Sequence, residues 1–522
     1  MWSKGIDMAA DDLARGLLSG SRGMSAAEFD DAVLRAASGF AAAGVGQGDC
    51  VAILMRNDFP FLVASLAAVR LGAYAVPLNW HFAPDEIAYV LADCRPKVLV
   101  AHTDLLGPLD RAVLAGMTVL GVAVPAEVRA AYAPAASQAA TASHQVADWQ
   151  DWLRRQLPYS GPAMPPTQSM IYTSGTTGRP KGVRRLPPTP EQQKGIDEAR
   201  RMVNGLDPGV RALMPGPLYH SAPNSFALRA VRVADCLVLM PRFDAEQCLA
   251  LIERHRITTT FMVPTMFVRL MKLPEATRRR YDVSSLRYVI HAGAPCPPDI
   301  KRAMIAWWGP IISEYYGATE IGAVTIISSP EWLQKPGSVG RATPGATLSI
   351  QDEAGRELPP NTVGEVFARL SCYPDFTYHN QPEKRAEVGR GDLVTCGDMG
   401  YLDTDGYLFL CDRKRDMVIS GGVNIYPAEI ESVAVTMPGV KDCAVFGVPD
   451  AEMGEALLAV VEPVPGAALT PEAIRAFLRE RLAGYKVPRE IEIRTGLPRE
   501  DSGKIFKRRL RDPYWAKAGR RI

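Results

Sequence analysis

The chain has 522 residues, of which 47% are hydrophobic and 22% are charged, a composition typical of a globular protein. Its 59 basic and 57 acidic side chains leave a net charge of +2, which disfavours nucleic acid or an anionic membrane as the main partner. The nine cysteines form no C-x-x-C pair and no zinc-like cluster, so we expect reduced thiols. The N-terminus has no apolar signal-like run and no stretch of about 18 apolar residues follows, so we expect a cytoplasmic protein without stable membrane insertion.

Helical and strand patterns alternate in residues 27–78 and again in residues 245–292. The predicted segments are a helix at Ala27–Ala43, a strand at Val51–Met55, a helix at Phe59–Leu71, a strand at Ala75–Leu78, a helix at Ala245–His255, and strands at Thr258–Val263 and Arg287–Ala292. Because such alternation covers a sheet with helices, it predicts an α/β fold. The Ala-, Pro- and Ser-rich stretch Val124–Ala147 is predicted to be a surface excursion.

Short strand patterns bounded by Gly, Pro and Asp follow Gly337 and predict a β-rich subdomain. They are Leu348–Gln351, Gly364–Arg369, Gly400–Asp403 and Tyr407–Cys411. The five charged residues Asp412–Asp416 are the predicted interdomain linker. An α+β domain is expected after them, with a helix at Pro427–Met437, strands at Asp442–Val448 and Leu457–Val461, and a helix at Pro471–Leu482. We therefore predict an N-terminal domain over residues 1–412 and a C-terminal domain over residues 413–522.

The run Tyr172–Gly182 reads Y-T-S-G-T-T-G-R-P-K-G and follows a predicted strand. Glycines let a backbone turn tightly and aim several N–H groups at one point, while the hydroxyls and Lys181 add donors and a positive charge. This chemistry favours a polyphosphate-binding loop over a flexible surface loop. It is not a Walker A loop, because Lys181 precedes Gly182 and Lys504 precedes Ile505, where that motif requires Ser or Thr.

Other segments carry chemistry that suits a nucleotide. Glu314–Glu320 reads E-Y-Y-G-A-T-E and combines a stacking face, a hydroxyl donor and a carboxylate that could meet a metal ion. Asp398 could accept two ribose hydroxyls, and Arg413 follows the next predicted strand. Pro498–Lys504 reads P-R-E-D-S-G-K, a turn that presents a lysine.

Together and in this order, these segments resemble the adenylate-forming superfamily, in particular the AMP-forming acyl-CoA synthetases. The resemblance covers nearly the whole chain and includes P-L-Y-H-S at Pro217–Ser221, H-A-G-A-P at His291–Pro295, the glycine-rich run Gly397–Tyr407 and the run Asp412–Pro427. It implies a large N-terminal domain of helix-covered β-sheets with a β-rich subdomain, followed by a small mobile α+β C-terminal domain.

The resemblance implies a two-step reaction with ATP, Mg²⁺ and coenzyme A. A small-molecule carboxylic acid attacks the α-phosphate of ATP to give acyl-AMP and pyrophosphate, and the thiol of coenzyme A then takes the acyl group and releases AMP. The acid stays open between a fatty acid, an aryl acid such as a benzoate or cinnamate, and a steroid or other alicyclic acid. The pocket segments have no Arg or Lys clearly placed for a second charge, which favours an apolar acyl group.

Nucleotide-site roles follow from the resemblance motif by motif. The β- and γ-phosphates are assigned to Ser174, Gly175, Thr176, Thr177 and Gly178, Mg²⁺ to Thr177 and Glu320, and the α-phosphate to Thr319. Tyr316 would stack on adenine, with Gly293, Ala294 and Pro295 on its other side, and Asp398 and Arg413 would hold the ribose. Lys504 would bridge the reacting carboxylate and the α-phosphate. The other implied nucleotide positions are Thr173, Lys181, Glu314, Tyr315 and Gly317.

Acyl-site and thiol-site roles are implied in the same way. His220 is placed as a gate of the carboxylate pocket, and a buried structural histidine is the alternative. The candidate pocket residues are His220, Asn224, Phe226, Phe267, His291, Gly293 and Tyr315, and the ring of Tyr315 could shorten or bend the pocket. Arg415 matches the hinge between the domains, and Ser420, Gly421 and Gly422 would face coenzyme A. Arg184 and Arg185 follow the phosphate loop and could be surface charges.

Three alternatives remain from the sequence. An adenylating enzyme could pass the acyl group to a carrier-protein phosphopantetheine or to an amine instead of coenzyme A. A non-catalytic nucleotide-binding protein could use the same fold, although every catalytic position is present. An oxidase that acts on an adenylated acid is the third. The sequence leaves the oligomeric state open, a homodimer included, and gives no reason to expect a nucleic-acid partner.

Overall fold

The computed structural model describes residues 16–132, 146–173, 179–421, 423–450, 452–499 and 505–517. In chain order, the elements up to residue 173 are β1 (Gly16–Ser19), β2 (Arg22–Ser25), α1 (Ala26–Ala42), β3 (Cys50–Leu54), α2 (Phe59–Arg70), β4 (Tyr74–Pro77), α3 (Pro84–Cys94), β5 (Val98–His102), α4 (Thr103–Leu106), β6 (Thr118–Val122), α5 (Ala126–Tyr132), β7 (Ala147–Asp148), α6 (Trp149–Arg154) and β8 (Ile171–Thr173).

Five of these strands form a parallel sheet in the order β4-β3-β5-β6-β7. All five residues of β3 are buried, as expected for a parallel strand that is covered on both faces. The predicted helices and strands before residue 80 are present within one residue of their predicted bounds. Part of the predicted surface excursion Val124–Ala147 is the helix α5, in which Val128 is the one buried residue.

The next elements are β9 (Lys181–Arg185), α7 (Pro190–Asn204), β10 (Arg211–Met214), α8 (Ser221–Val233), β11 (Cys236–Leu239), α9 (Ala245–Arg254), β12 (Thr259–Met262), α10 (Pro264–Met271), α11 (Glu275–Arg280), β13 (Tyr288–His291), α12 (Pro298–Trp308) and β14 (Ile312–Glu314). They complete a seven-stranded sheet in the order β14-β13-β12-β10-β11-β1-β2. All neighbours in it are parallel except β1 and β2, so the carboxyl ends of β10 to β14 meet at one edge.

The two faces of the seven-stranded sheet belong to two different cores, because successive side chains of a strand point to opposite faces. The first core lies between the five-stranded sheet and the seven-stranded sheet. It contains Phe261 and Ile290 together with side chains of α1, α2 and α8. The second core covers the opposite face and contains Met262 and Val289 with side chains of α9, α10 and α12.

A β-rich region follows, as the sequence predicts. Its elements are β15 (Gly317–Ala318), β16 (Gly322–Ala323), β17 (Thr325–Ile326), α13 (Ser329–Gln334), β18 (Ser338–Ala342), β19 (Ala346–Gln351), β20 (Gly364–Leu370), β21 (Phe376–Tyr378), α14 (Glu383–Glu387), β22 (Gly389–Arg390), β23 (Leu393–Leu402) and β24 (Leu408–Arg413). Most strands form an antiparallel sheet in the order β17-β18-β24-β23-β20-β19, with β22 also on β23. A separate sheet of three antiparallel strands, β21-β9-β8, is called the small sheet below.

The C-terminal region is an α+β unit. Its elements are β25 (Val418–Ser420), β26 (Val423–Ile425), α15 (Pro427–Ala434), β27 (Val440–Asp450), β28 (Gly454–Pro463), α16 (Pro471–Arg479), a short 3₁₀ helix at Gly484–Lys486, β29 (Glu490–Ile493) and α17 (Lys507–Lys517). Strands β27 and β28 are longer than predicted because they pair along their whole length. The predicted linker is also corrected, since Asp412 and Arg413 belong to β24 and only residues 414–417 connect it to β25.

One side chain ties the C-terminal unit to the second core. Lys272, just after α10, donates its Nζ to the carbonyl oxygens of Val440 and Lys441 in β27, each at 2.8 Å. Among the described helices, none combines the length and the apolar composition needed to cross a bilayer.

Candidate functional site

The predicted phosphate loop begins and ends at the small sheet. Thr173 ends β8, Lys181 begins β9, and the two residues face each other as ladder partners. The five predicted phosphate-binding residues between them, Ser174, Gly175, Thr176, Thr177 and Gly178, lie outside the described residues. The residues that flank the predicted phosphate loop therefore lie side by side on this sheet.

The carboxylate of Glu320 lies at the same point. Tyr378, the last residue of β21, donates its hydroxyl to Oε1 of Glu320 at 3.3 Å, and Thr173 donates to the same oxygen at 3.4 Å. The Nζ of Lys181 lies over the ring of Tyr378, 5.1 Å from its centroid. The structure thus brings Thr173, Lys181 and Glu320 together, as the resemblance implies.

Burial controls the ionisation of both charged groups here. It raises the pKa of Glu320, while the Tyr378 hydroxyl and the charge of Arg185 oppose that rise. Burial also lowers the pKa of Lys181. Carboxylate and hydroxyl oxygens are the hard ligands that Mg²⁺ prefers, so the donors around Glu320 fit this ion. In the described ranges, no three or more His, Cys, Asp and Glu side chains gather into a metal site of their own.

The predicted ribose and adenine residues form a second cluster. Asp398 and Arg413 are cross-strand partners on β23 and β24, and Nε of Arg413 lies 3.4 Å from Oδ1 of Asp398. The hydroxyl of Tyr316 donates to Oδ2 of Asp398 at 2.7 Å. Burial and the neighbouring Asp398 carboxylate raise the pKa of Tyr316, so its hydroxyl stays protonated as a donor. Asp398 is therefore the centre of this polar cluster.

The segments on either side of the predicted adenine position meet at one sheet edge. Strands β13 and β14 are parallel partners, with His291 opposite Glu314. The exposed turn Gly293–Pro295 follows β13, and Tyr315 and Tyr316 follow β14. The backbone N–H of Tyr315 donates to the carbonyl of His291 at 3.2 Å, which holds the two segments side by side.

Gly317 and Thr319 lie between the two clusters. Gly317 is a ladder partner of Ala323, and a Cβ there would collide with the carbonyl of Gly322, so only glycine fits this close approach. The carbonyl of Thr319 accepts from the guanidinium of Arg185 at 3.2 Å. The Tyr316–Glu320 segment is thus fixed by backbone contacts as well as by its side chains.

The side chain of Glu314 belongs neither to the cluster at Glu320 nor to the cluster at Asp398. Its carboxylate is buried in the protein and pairs with Nζ of Lys301, which is fully buried on α12. Nε2 of His291 lies 3.4 Å from the same carboxylate. Burial raises the pKa of Glu314 against the effect of Lys301, and it lowers the pKa of His291, which therefore stays neutral. A buried ion pair thus occupies the Glu314 carboxylate, which leaves the backbone of this residue for the predicted nucleotide contact.

The candidate acyl residues are divided between the two cores. Phe226 of α8 lies in the first core, 6.3 Å from Phe261 between ring centroids, and Phe261 lies 6.5 Å from Tyr315. Phe267 of α10 lies in the second core, 5.1 Å from the ring of His291. One face of the sheet therefore holds a Phe226–Phe261–Tyr315 row. Phe267 and His291 therefore lie on the sheet face opposite to Phe226 and Tyr315, and a pocket shared by all four stays a prediction.

Two further pocket candidates lie at the start of α8. His220 is the residue before this helix, and its carbonyl accepts from the N–H of Asn224 at 2.9 Å. The Asn224 amide donates to Leu218 at 3.0 Å and accepts from Ser169 at 2.8 Å, so its polar atoms hold the backbone around His220. Gly293 has a φ of +90°, and a Cβ added there would meet only Val263, at 3.8 Å.

The C-terminal candidates lie near the domain connection. Arg415 is exposed, with its Nε 4.0 Å from the carboxylate of Asp416. Ser420 ends β25, and the N–H of Gly421 donates to the carbonyl of Met453 at 2.9 Å. Gly422 and Lys504 lie outside the described residues. Arg499 and Ile505, which flank residues 500–504, form an isolated antiparallel bridge.

Sequence reasoning missed three side chains that contact predicted site residues. Tyr378 had no signal beyond the alternating strand Phe376–Tyr378, and Lys301 had only its position on a helix. Arg185 was interpreted as surface charge, but it is only 5% exposed and contacts the Glu320 segment, so that interpretation is wrong.

Comparison with known families agrees with this geometry. The AMP-binding enzyme family matches residues 9–372, and the AMP-binding enzyme C-terminal domain matches residues 429–504. The chain therefore belongs to the AMP-binding enzymes.

Individual relatives match both regions. The indoleacetate–CoA ligase of Aromatoleum aromaticum is 33% identical over 496 residues, covering 93% of this chain and 92% of that protein. The long-chain-fatty-acid–CoA ligase FadD13 of Mycobacterium tuberculosis is 30% identical over 502 residues, covering 94% and 93%. The solved structure of the anthranilate CoA ligase AuaEII with anthranoyl-AMP has a TM-score of 0.82 at 25% identity and covers 99% of this chain and 96% of that one. The expected fold, a large N-terminal and a smaller C-terminal α/β unit, is confirmed.

Proposed function

We propose that the protein is an ATP-dependent carboxylate–CoA ligase that forms acyl-AMP as an intermediate. The observation that carries the proposal is the pair of polar clusters at Glu320 and Asp398, which the continuous segment Tyr316–Glu320 joins. One cluster offers a carboxylate, hydroxyls and Lys181 next to a glycine-rich loop, which suits a polyphosphate. The other offers a carboxylate and an aromatic ring, which suits a nucleoside.

The nucleotide would span the two clusters. The ribose hydroxyls would donate to Asp398, where Arg413 balances the carboxylate charge, and adenine would lie between Tyr316 and the turn Gly293–Pro295. The β- and γ-phosphates would lie at the loop 174–178, next to Lys181. Glu320 and Thr177 would hold Mg²⁺, which neutralises phosphate charge when it is bound.

In the first step, a carboxylate oxygen of the acid forms a bond to the α-phosphorus of ATP, and the bond from that phosphorus to the pyrophosphate oxygen breaks. Two anions must approach each other, so positive charge placed at the phosphate oxygens lowers the barrier most. We assign this role to Lys504. Lys181 would attract the departing pyrophosphate, and the hydroxyls of Thr173 and Tyr378 would orient Glu320.

In the second step, the sulfur of coenzyme A bonds to the acyl carbonyl carbon, the bond to the AMP oxygen breaks, and the thiol proton passes to solvent. We propose a hinge at Arg415 between an N-terminal domain of residues 1–412 and a C-terminal domain of residues 413–522. Residues 414–417, between the end of β24 at Arg413 and the start of β25 at Val418, support a hinge at Arg415, and the end of β24 lies one residue past the proposed boundary. Ser420, Gly421 and Gly422 would then face the thiol.

We propose an acid with an apolar body, either fatty, aryl or alicyclic. The row Phe226–Phe261–Tyr315 supports this, because it lines the first core behind the predicted adenine segment with aromatic rings. The acids in the names of the relatives, indoleacetate, a long-chain fatty acid and anthranilate, also have apolar or aromatic bodies. His220, at the start of α8, would stand at the carboxylate end of this pocket.

The test is pyrophosphate release with ATP and Mg²⁺ across fatty, aryl and alicyclic acids, with and without coenzyme A. We expect one class to turn over only with coenzyme A, and Lys504→Ala to remove adenylation. Lys517→Ala, which removes an exposed lysine at the end of α17, is the matched control and should keep wild-type rates. Turnover that does not need coenzyme A would indicate a carrier-protein or amine acceptor, and no release with any acid would overturn the proposal.

A further inference from the structure

Arg185 is a buried arginine next to the predicted phosphate loop. It ends β9, the central strand of the small sheet, and lies on the same strand face as Lys181 and Val183 because alternate residues share a face. Val183 packs in the same cluster as Tyr316 and Ile321. This face of β9 therefore looks toward the segment that contains Glu320.

The guanidinium of Arg185 is committed to backbone oxygens. Nη1 donates to the carbonyl of Pro374 at 2.6 Å, and Nη2 donates to the carbonyls of Thr319 and Glu320. The guanidinium also lies 5.1 Å from the ring centroid of Tyr373 and 5.4 Å from that of Phe376. A planar guanidinium that donates in several directions while packed on rings holds its partners in one geometry, which a lysine ammonium cannot reproduce.

Glu320 is consequently held by all three strands of the small sheet. Arg185 on β9 binds its carbonyl, while Thr173 on β8 and Tyr378 on β21 donate to its carboxylate. The strand that follows the phosphate loop thus also fixes the residue expected to share Mg²⁺ with that loop. An arginine with a purely local role would donate only to a nearby loop such as the one at Pro374. Arg185 also donates to the carbonyls of Thr319 and Glu320.

We propose that Arg185 is a positioning residue that sets the place of Glu320 relative to Thr173 and Lys181 and thereby supports the magnesium–triphosphate site. This inference rests on the proposed ligase function. Because its guanidinium is committed to backbone carbonyls, Arg185 would act through the Thr319–Glu320 backbone and not by contact with the nucleotide or the metal. Loss of a group that orients a metal ligand typically costs about tenfold to a hundredfold in metal affinity.

The test compares Arg185→Lys and Arg185→Met with the wild-type chain. The readout is calorimetric binding of an ATP analogue with a methylene bridge between the α- and β-phosphorus, repeated over a range of Mg²⁺ concentrations. We expect both variants to need about tenfold more Mg²⁺ for half-maximal binding. We expect AMP, which has no polyphosphate, to bind within about twofold of wild type, because the Asp398 cluster is untouched.

Arg184→Met is the matched control on the same strand. Arg184 donates to the carbonyl of Gly48 at 3.2 Å and lies 4.7 Å from the ring centroid of Tyr74, on the other side of β9 from Glu320. Its loss removes the same charge one residue away, so the unfolding midpoint should fall without a change in Mg²⁺ dependence. If Arg185→Met does not fold, Arg185→Lys carries the test alone.

Two outcomes would overturn the positioning role while the proposed function stands. One is wild-type Mg²⁺ dependence in Arg185→Lys, because a retained charge would then suffice. The other is an equal loss of AMP and analogue binding, which would indicate general damage. A wild-type chain that binds neither AMP nor the analogue would instead overturn the proposed function and the inference with it.

Discussion

The nucleotide side and the acyl side of the candidate site are built in different ways. On the nucleotide side, the continuous segment Tyr316–Glu320 reaches Asp398 and the small sheet. On the acyl side, Phe226 and Phe267 come from different helices and lie in cores on opposite faces of one sheet. A short polar motif keeps its residues together along the chain, whereas an apolar pocket depends on the face that each element presents. Motif reasoning therefore groups residues that lie together on the first side, whereas on the second side it groups residues that lie on opposite faces of the sheet.

The largest expected effect concerns the buried carboxylate of Glu314. Lys301→Met would leave this carboxylate buried without its cation, and removing one partner of a buried ion pair costs about 3–5 kcal/mol. We expect the free energy of unfolding, measured by urea denaturation, to fall by that amount. The substitution keeps a long apolar side chain, so lost packing contributes little.

The double variant Lys301→Met with Glu314→Leu distinguishes a role of this ion pair in stability from a role of Glu314 in nucleotide binding. Replacing both members of a buried pair by apolar residues is often neutral, so most of the lost stability should return. AMP should still bind, since the Glu314 side chain lies in the protein interior. A stable double variant that fails to bind AMP would show that the Glu314 side chain contributes to nucleotide binding. The prediction would then be contradicted.

The next effect belongs to the nucleotide side alone. Asp398→Ala removes the acceptor of the Tyr316 hydroxyl and the partner of Arg413, and hydrogen bonds to charged groups are worth about 1.5–3 kcal/mol. We expect kcat/KM for ATP to fall about a hundredfold, which corresponds to about 2.7 kcal/mol. The measurement is the initial rate of pyrophosphate release against ATP at saturating acid.

The control for Asp398→Ala is Asp392→Ala, which removes an exposed carboxylate paired with Arg369 at 3.2 Å. This control variant should keep the wild-type KM values for both ATP and the acid. The KM for the acid should change less than about twofold in Asp398→Ala if the two sides are independent. An equal rise in both KM values would argue that Asp398 organises the whole site.

Much of the fold follows from the sequence because its strongest patterns are local. The helices α1 and α2 and the strands β3 and β4 have the predicted alternation, and their bounds differ by one residue or none. The lengths of β27 and β28 were underestimated because cross-strand pairing, not propensity, sets where these strands end. The short helix α5 has no strong periodicity, so a composition rich in alanine and proline concealed it.

The site was predictable where a residue sits inside a motif. Asp398, Arg413 and Tyr316 are adjacent in space because two neighbouring strands and one turn bring them together. Tyr378 and Arg185 were not predictable as site residues, because their contacts depend on the pairing of β21 with β9, which joins segments far apart in the chain. The sheet face on which Phe267 lies was not predictable, because it depends on the packing of α10.

The region around His255 lies away from both the nucleotide side and the acyl side. We expect a smaller effect on stability there and none on nucleotide binding. His255 follows α9, and its carbonyl accepts from Nε of Arg211 at 2.6 Å, near the amino ends of β10 and β12. Burial lowers the pKa of His255 to about 4, and the charges of Arg254 and Arg211 act in the same direction. In the unfolded chain its pKa is near 6.5.

The unfolded chain therefore takes up this proton first as the pH falls below about 6.5, so stability is lost progressively toward pH 4. We expect wild type to lose about 1–2 kcal/mol more than His255→Asn between pH 7.5 and pH 5. The measurement is the urea midpoint of both proteins at each pH. Identical pH profiles would mean that His255 is not buried as a neutral group, and AMP affinity should be the same in both proteins.

The smallest effect tests the acyl side directly. Phe226→Leu and Phe267→Leu make the same change at two fully buried positions, one in each core. Both should lower the urea midpoint, because each leaves an unfilled volume. Only Phe226→Leu should alter the ratio of kcat/KM between an aryl acid and a fatty acid, by about fivefold or 1 kcal/mol, since its ring belongs to the row that ends at Tyr315. A change in that ratio confined to Phe267→Leu would place the acyl group in the second core. The pocket would then lie on the sheet face of Phe267 and His291, and Phe226 would not belong to it.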